Sequence, residues 1–128
     1  MFALRGVMCL AVTLALGVGA AMADTKMDDE MKKLATTSGC LTCHSVESGK
    51  LGPDGMAPIG PAWQDVAAKY KGQKGAADSL LQTVMKGSNP YNSHWKDKVS
   101  GLAMPPNAVA IKEPEAKKLV AWILALKK

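Results

Sequence analysis

Cys40, Leu41, Thr42, Cys43 and His44 form a C-x-x-C-H run, and no other short segment restricts the fold and chemistry of this chain so strongly. The spacing is that of a haem attachment site. Two thiols three residues apart can add to the two vinyl groups of one porphyrin, and the adjacent imidazole then sits over the iron as an axial ligand. The chain is therefore expected to wrap around one covalently attached haem c, bonded at Cys40, Cys43 and His44.

The amino terminus bears on whether the thiols are free for that use. Arg5 precedes an uncharged stretch from Gly6 to Ala20, and Ala21-Met22-Ala23 offers the small-residue pattern of a signal-peptidase site. Residues 1–23 read as a cleaved signal peptide, with the mature chain starting at Asp24. An uncleaved anchor is the rival reading, but roughly 15 apolar residues fall short of the ~20 that span a bilayer. Cys9 leaves with this segment, so both remaining cysteines belong to the motif.

An exported chain meets an oxidising compartment, where paired thiols could become a disulfide. Such a bridge would leave His44 without a purpose. A thioredoxin-like redox pair sits where a strand gives way to a helix, yet no alternating or β-branched run precedes Cys40. A zinc site needs four ligands, and the mature chain could add only His44 and His94, with His44 pressed directly against Cys43. Haem attachment uses all three groups.

Cleavage after residue 23 of 128 leaves 105 residues, the size of one small domain, here 24–128. Periodicity points to an all-α chain with long loops. Met27, Met31, Leu34 and Ala35 share one face of a helix over Lys26–Ser38, ended by Gly39. A second helix is expected to open with Pro61 in its first turn, to present Trp63, Val66, Ala67 and Tyr70, and to stop at Gly72. Leu80, Leu81, Val84 and Met85 mark a third helix over Asp78–Lys86, closed by Gly87. The last starts near Pro114 and turns Ala116, Leu119, Val120, Ile123 and Leu126 inward, with Trp122 at the margin. It should pack on the first helix, with Gly39 permitting close approach.

A carrier of single electrons needs a sixth iron ligand, so that coordination survives when the electron arrives. Met56, Met85, Met104 and His94 are the choices downstream. Met85 lies on an apolar helix stripe and reads as core. Met56 sits only 12 residues beyond His44, in a Gly/Pro-rich loop that would have to reverse across the ring. Met104 precedes Pro105-Pro106, whose fixed φ angles favour a stiff extended segment able to hold a thioether against the iron. Met104 is the expected ligand, with His94 the alternative.

The order of these features resembles a known family. The helix before C-x-x-C-H, then Gly60-Pro61-Ala62 with Asp65-Val66-Ala67-Ala68-Lys69-Tyr70, then Met104-Pro105-Pro106-Asn107-Ala108-Val109, and a closing Ala121-Trp122-Ile123 helix, look like bacterial class I cytochromes c of the c-551/c-552 type. The resemblance implies a class I cytochrome c fold, four to five helices with long loops around one haem. It also implies a small periplasmic carrier with His44/Met104 ligation and no catalytic residue. Carried over residue by residue, it gives Pro61 the carbonyl that accepts the Nδ1–H of His44. It gives Asn107 a bond near the methionine sulfur, and Trp95 an indole N–H to a haem propionate. The loops 46–59 and 88–103 are longer than in the short members of the family.

Such a carrier would take electrons from a quinol-oxidising complex and pass them to a periplasmic reductase or oxidase. Leu41, Met56, Ala57, Leu102, Ala103 and Pro105 are expected to form a small apolar docking patch at the haem edge. Loss of Arg5 takes the formal charge from +5 to +4, and Lys50, Lys86, Lys96 and Lys98 could steer an acidic partner. Such an exported, aromatic-poor, mildly basic chain suits neither nucleic acid nor stable membrane insertion after signal cleavage. Two other roles share the motif: the electron-donating subunit of a periplasmic oxidoreductase, and a five-coordinate haem enzyme or gas sensor using His94.

A chain of this size builds a marginal apolar core alone, and a porphyrin would supply much of the missing interior. Haem-free protein is expected to show no cooperative thermal transition by circular dichroism. A sharp transition would mean that the polypeptide folds without its cofactor.

Overall fold

A computed structural model describes residues 18–128, and Arg5 and Cys9 of the expected signal peptide lie outside them. The first helix, α1, spans Val18–Thr37, so helical backbone runs past the Lys26 start and across the expected cleavage point after Ala23. Thr36 and Thr37 hydroxyls donate to the Lys32 and Lys33 carbonyls as the helix ends, and Gly39 then reverses the chain with φ +76°. That left-handed conformation is what requires glycine. The expected role of Gly39 in close helix packing is not what the structure shows, because a Cβ there would meet nothing within 4 Å. A single tight turn, Cys40–Thr42, follows directly.

Three more helices complete the fold: α2, Trp63–Tyr70; α3, Ala76–Lys86; and α4, Glu113–Ala125. The all-α expectation holds, and there is no strand among the described residues. Pro61 is not in the first turn of α2. The helix starts two residues later, with Ala62 extended at its cap, because the Pro61 carbonyl is used elsewhere. Gly75 caps α3 and Gly87 ends it, both at positive φ. Pro114 occupies the first turn of α4, where its missing N–H costs nothing.

The core lies where α4 crosses the other three helices. It is built from Met31 and Ala35 of α1, Trp63 and Val66 of α2, Leu81 of α3, and Ile111, Ala116, Leu119, Trp122 and Ile123 around α4. Met27, expected on the buried face of α1, is half exposed. Trp122 is not marginal but buried. Its ring meets that of Trp63 edge-on at 5.9 Å, and its indole N–H donates to Asp28 Oδ1 at 2.7 Å. An amphipathic indole can thus bury its rings while its single donor reaches the surface of α1.

The two long loops run beside each other. Ser100 and Gly101 N–H groups donate to the Pro58 and Ile59 carbonyls at 2.9 and 3.0 Å. A Cβ on Gly101 would sit 2.5 Å from the Ile59 oxygen, so the approach requires glycine. Farther back, Asp65 accepts from the Ser48 hydroxyl at 2.8 Å and pairs with Lys128. Lys128 first, then Ser48, hold its carboxyl below the ordinary value.

The Trp122–Asp28 bond is expected to contribute about 1 kcal/mol. Trp122→Phe and Asp28→Ala should each lower the holoprotein Tm by several degrees, roughly the 4–8 °C per kcal/mol of a domain this size. The double variant should lose little more than either single one. Fully additive losses would show that the two side chains do not act as a pair.

Candidate functional site

The C-x-x-C-H segment is held to the start of α2 by a ladder of backbone bonds. Gly60 N–H donates to the Cys43 carbonyl at 2.8 Å, Trp63 N–H to Ser45 at 2.9 Å and Gln64 N–H to Val46 at 3.1 Å. The first N–H groups of a helix have no partner within it, and here the chain after the motif supplies one. His44 lies within this ladder. Its Nδ1 is 2.7 Å from the Pro61 carbonyl oxygen, which explains why α2 begins beyond Pro61. A carbonyl only accepts, so Nδ1 carries the proton and the Nε2 lone pair is free.

Two further contacts fix the imidazole plane. The ring stacks on buried Trp63 with centroids 5.8 Å apart and planes 27° apart. On another side a Cβ at Gly60 would come within 2.7 Å of the ring's Cε1, so only glycine leaves room. Burial pushes the His44 pKa below its ordinary value, and the Pro61 bond opposes this only in part. The imidazole is consequently a neutral nitrogen donor. Cys40 and Cys43 are both free thiols and half-buried. Burial pushes the Cys40 thiol upward.

His44 faces a cleft of ≈ 330 Å³. Its walls are mostly apolar, with Ile59, Val66, Leu80, Val84, Val120 and Ile123 among them. Cys43, Pro61, Trp95 and Met104 also line it, whereas Cys40 and Asn107 lie outside the lining. Among the described methionines, Met104 alone reaches this lining. Met56 is exposed, Met85 packs against the core and Met31 is part of it.

Met104 is held by its backbone to the end of α3. Its N–H donates to the Ser88 hydroxyl at 2.8 Å, and its carbonyl accepts from Ser88 N–H at 2.9 Å. A Cβ at Gly87 would lie 2.9 Å from the same carbonyl. The Asn107 amide donates to the Pro105 and Val84 carbonyls at 2.7 and 3.2 Å. These hydrogen bonds go to backbone oxygens on either side of the Met104 segment. They secure the Met104 loop to the open C-terminal carbonyls of α3.

A model of the Cytochrome c family matches residues 21–127. The chain belongs to the cytochrome c family. It is similar to cytochrome c-551 of Allochromatium vinosum, 43% identical over 93 residues that span 73% of this chain and 82% of that protein. It is similar also to cytochrome c-552 of Hydrogenobacter thermophilus, 36% identical over 96 residues, 75% of this chain and 81% of that one. The solved structure of wild-type cytochrome c552 from Nitrosomonas europaea matches with a TM-score of 0.58 and 35% identity, covering 75% of this chain and 99% of that chain.

Family membership makes the cofactor a covalently bound haem c with its iron, the role electron transfer and the partners redox proteins. The cleft suits that group. A neutral imidazole of fixed tautomer, free thiols beside it and apolar walls are what a covalent porphyrin requires. No helix among the described residues is long and apolar enough to cross a membrane.

Two contacts near this cleft were not foreseen in the sequence analysis, and one position of the expected docking patch differs. Tyr70 was expected only as part of the α2 core face, yet its hydroxyl lies 2.6 Å from His94 Nδ1. Both residues line the cleft. Lys69 places its Nζ 5.3 Å from the centroid of the Trp95 ring, a cation–π contact. Of the expected docking patch, Leu102 and Met56 are strongly exposed and Ala57, Ala103 and Pro105 are exposed too. Leu41 instead packs partly against the core.

Gly60→Ala is expected to force the His44 ring away from Pro61 and to destabilise the holoprotein by ~1–3 kcal/mol, as overpacking does. Thermal denaturation of haem-loaded protein would measure this. A loss below ~0.5 kcal/mol, within the range of ordinary surface substitutions, would mean that the ring is free to swing aside.

Proposed function

We propose that this cytochrome is an exported carrier of single electrons whose haem is bonded to Cys40 and Cys43 and ligated by His44 and Met104. The observation that carries the reading is the cleft itself. An imidazole nitrogen and a thioether enter it from segments far apart in sequence, each fastened by backbone hydrogen bonds to a different helix end. When bound, the haem iron supplies the chemistry by cycling between ferrous and ferric states.

The residues of the chain perform the remaining tasks. Pro61 orients His44 and raises its donor strength through the Nδ1–H bond. Ser88 and Asn107 hold the Met104 loop, so that the thioether keeps its place when charge changes at the site. Trp95 lines the same cleft and is assigned an indole N–H bond to a haem propionate. A soft thioether favours ferrous iron, and apolar walls disfavour the added ferric charge, so both raise the potential.

Residues 1–23 act as a cleaved signal peptide in this reading, and the mature protein 24–128 works in the periplasm. Its donor is a quinol-oxidising complex and its acceptor a terminal reductase or oxidase. The exposed Met56, Leu102, Ala103 and Pro105 give a small docking face of the kind used in brief redox encounters.

Optical spectra with and without carbon monoxide test the ligation. The oxidised protein should show a sulfur-to-iron charge-transfer band that disappears in Met104→Ala, and the ferrous wild type should not bind carbon monoxide. Absence of the band, together with ready carbon monoxide binding, would mean an open iron. The protein would then be a haem enzyme or gas sensor rather than a carrier.

A further inference from the structure

Behind the haem cleft lies a second groove of ≈ 560 Å³, and the two long loops build it. Gly49 and Pro58 come from the loop 46–59, Lys98 and Val99 from the loop 88–103, and α2 contributes Asp65 and Lys69. Pro61 and Trp95 line both spaces, so these two residues form the wall between them.

The groove carries positive charge that the fold leaves unmatched. Its one acid, Asp65, is occupied, because it pairs with Lys128 and accepts from the Ser48 hydroxyl. Its two bases are not. Neither Lys69 nor Lys98 joins an ion pair among the described residues, and both are exposed. Lys69 rests over Trp95 with Nζ 5.3 Å from the ring centroid, which keeps the ammonium at the groove. Lys98 lies near enough to favour the Asp65 carboxylate, after Lys128 and Ser48. Lys50, also expected to steer a partner, is instead paired with Glu47.

We infer that this groove is a docking surface for an acidic segment of a redox partner, and that an electron crosses there by way of Pro61 and His44. The inference rests on the His44 ligation proposed above. Two ammoniums beside a neutralised carboxylate attract Asp and Glu side chains. A single small ion gains little from exposed lysines, whereas a peptide segment adds apolar contact with Pro58, Pro61 and Val99. The route is short, because the Pro61 carbonyl accepts the Nδ1–H of His44 at 2.7 Å. One residue and one hydrogen bond then join the docked partner to the iron's ligand. The step balances: the partner loses one electron, ferric haem gains it, and no proton moves. None of the groove's lining residues belongs to the exposed face of Met56 and Leu102, so donor and acceptor need not compete for one surface.

Docking is tested on isotope-labelled ferrous holoprotein, titrated with a hexaglutamate peptide at low ionic strength. Amide NMR shifts should change at Gly49, Lys69, Lys98 and Val99, fade as salt is added, and be absent in Lys69→Gln/Lys98→Gln. Changes confined to Met56 and Leu102 would overturn the proposal, because acidic segments would then dock elsewhere. Equal changes with free glutamate at matched carboxylate concentration would also overturn it, since the groove would then accept any small anion.

Electron passage is read separately, as the rate at which ferricyanide, an anionic one-electron oxidant, oxidises the ferrous protein. Lys69→Gln/Lys98→Gln should slow it by about tenfold at low salt, the lower end of electrostatic steering. Lys117→Gln/Lys118→Gln makes the same charge change on exposed positions of α4, outside both clefts, and should slow it far less. Equal rates in the two variants would overturn the route, because net charge alone would account for them. Absence of the charge-transfer band from the wild type would instead refute the ligation, while the peptide titration still decides the docking, so the two failures are distinguishable.

Discussion

The hydrogen bond between His44 Nδ1 and the Pro61 carbonyl governs more of this structure than any other single contact. It fixes the tautomer and therefore which nitrogen faces the cleft. It also delays the start of α2, because the backbone must stay extended through Ala62 for the Pro61 oxygen to reach the ring. The delay leaves the Trp63 and Gln64 N–H groups without helical partners, and the Ser45 and Val46 carbonyls take them. The His44 ring, the helix register and the path of the chain after the motif are thus one arrangement. Trp63, stacked beneath His44, links it to Trp122 and the core.

The opposite wall uses the other end of a helix in the same way. The last carbonyls of α3 have no intrahelical donors, and the segment after Met104 supplies them through Asn107. Neither wall depends on a sheet or a disulfide. The chain obtains fixed positions for His44 and Met104 from backbone groups that any helix leaves open at its ends. Val66, Leu80 and Ile123 meanwhile face the cleft instead of each other, so the apolar interior is shared between the core and the cofactor.

The fold was legible where a pattern repeats along one element. The apolar faces of α2, α3 and α4 follow helical spacing, and the stops at Gly72 and Gly87 both lie at positive φ. The motif was legible because its parts are contiguous. What could not be read depends on tertiary partners. Trp122 lies at the edge of its helix stripe in sequence, but Asp28, 94 residues away, gives its indole a partner and draws it inside. Pro61 has the local signature of a first-turn residue, and a distant imidazole overrides it. Gly39 is compatible with both close packing and a left-handed turn, and only the empty space around it decides. The Tyr70–His94 contact joins a helix end to an irregular loop, and neither has a period that could have announced it.

Electron transfer asks two things of such a site that pull in different directions. The ligands must stay still when the charge changes, whereas the potential should be open to adjustment. The structure separates the two in space. The His44 ring and the Met104 backbone are set by short hydrogen bonds in partly buried surroundings. The polar side of the cleft is lined by Asn89, Asn92, Ser93 and exposed His94. A long loop that would otherwise only add conformational entropy here contributes polar groups to the cleft lining. Its pairing with Pro58 and Ile59 and the Lys69–Trp95 contact hold it against the rest of the fold.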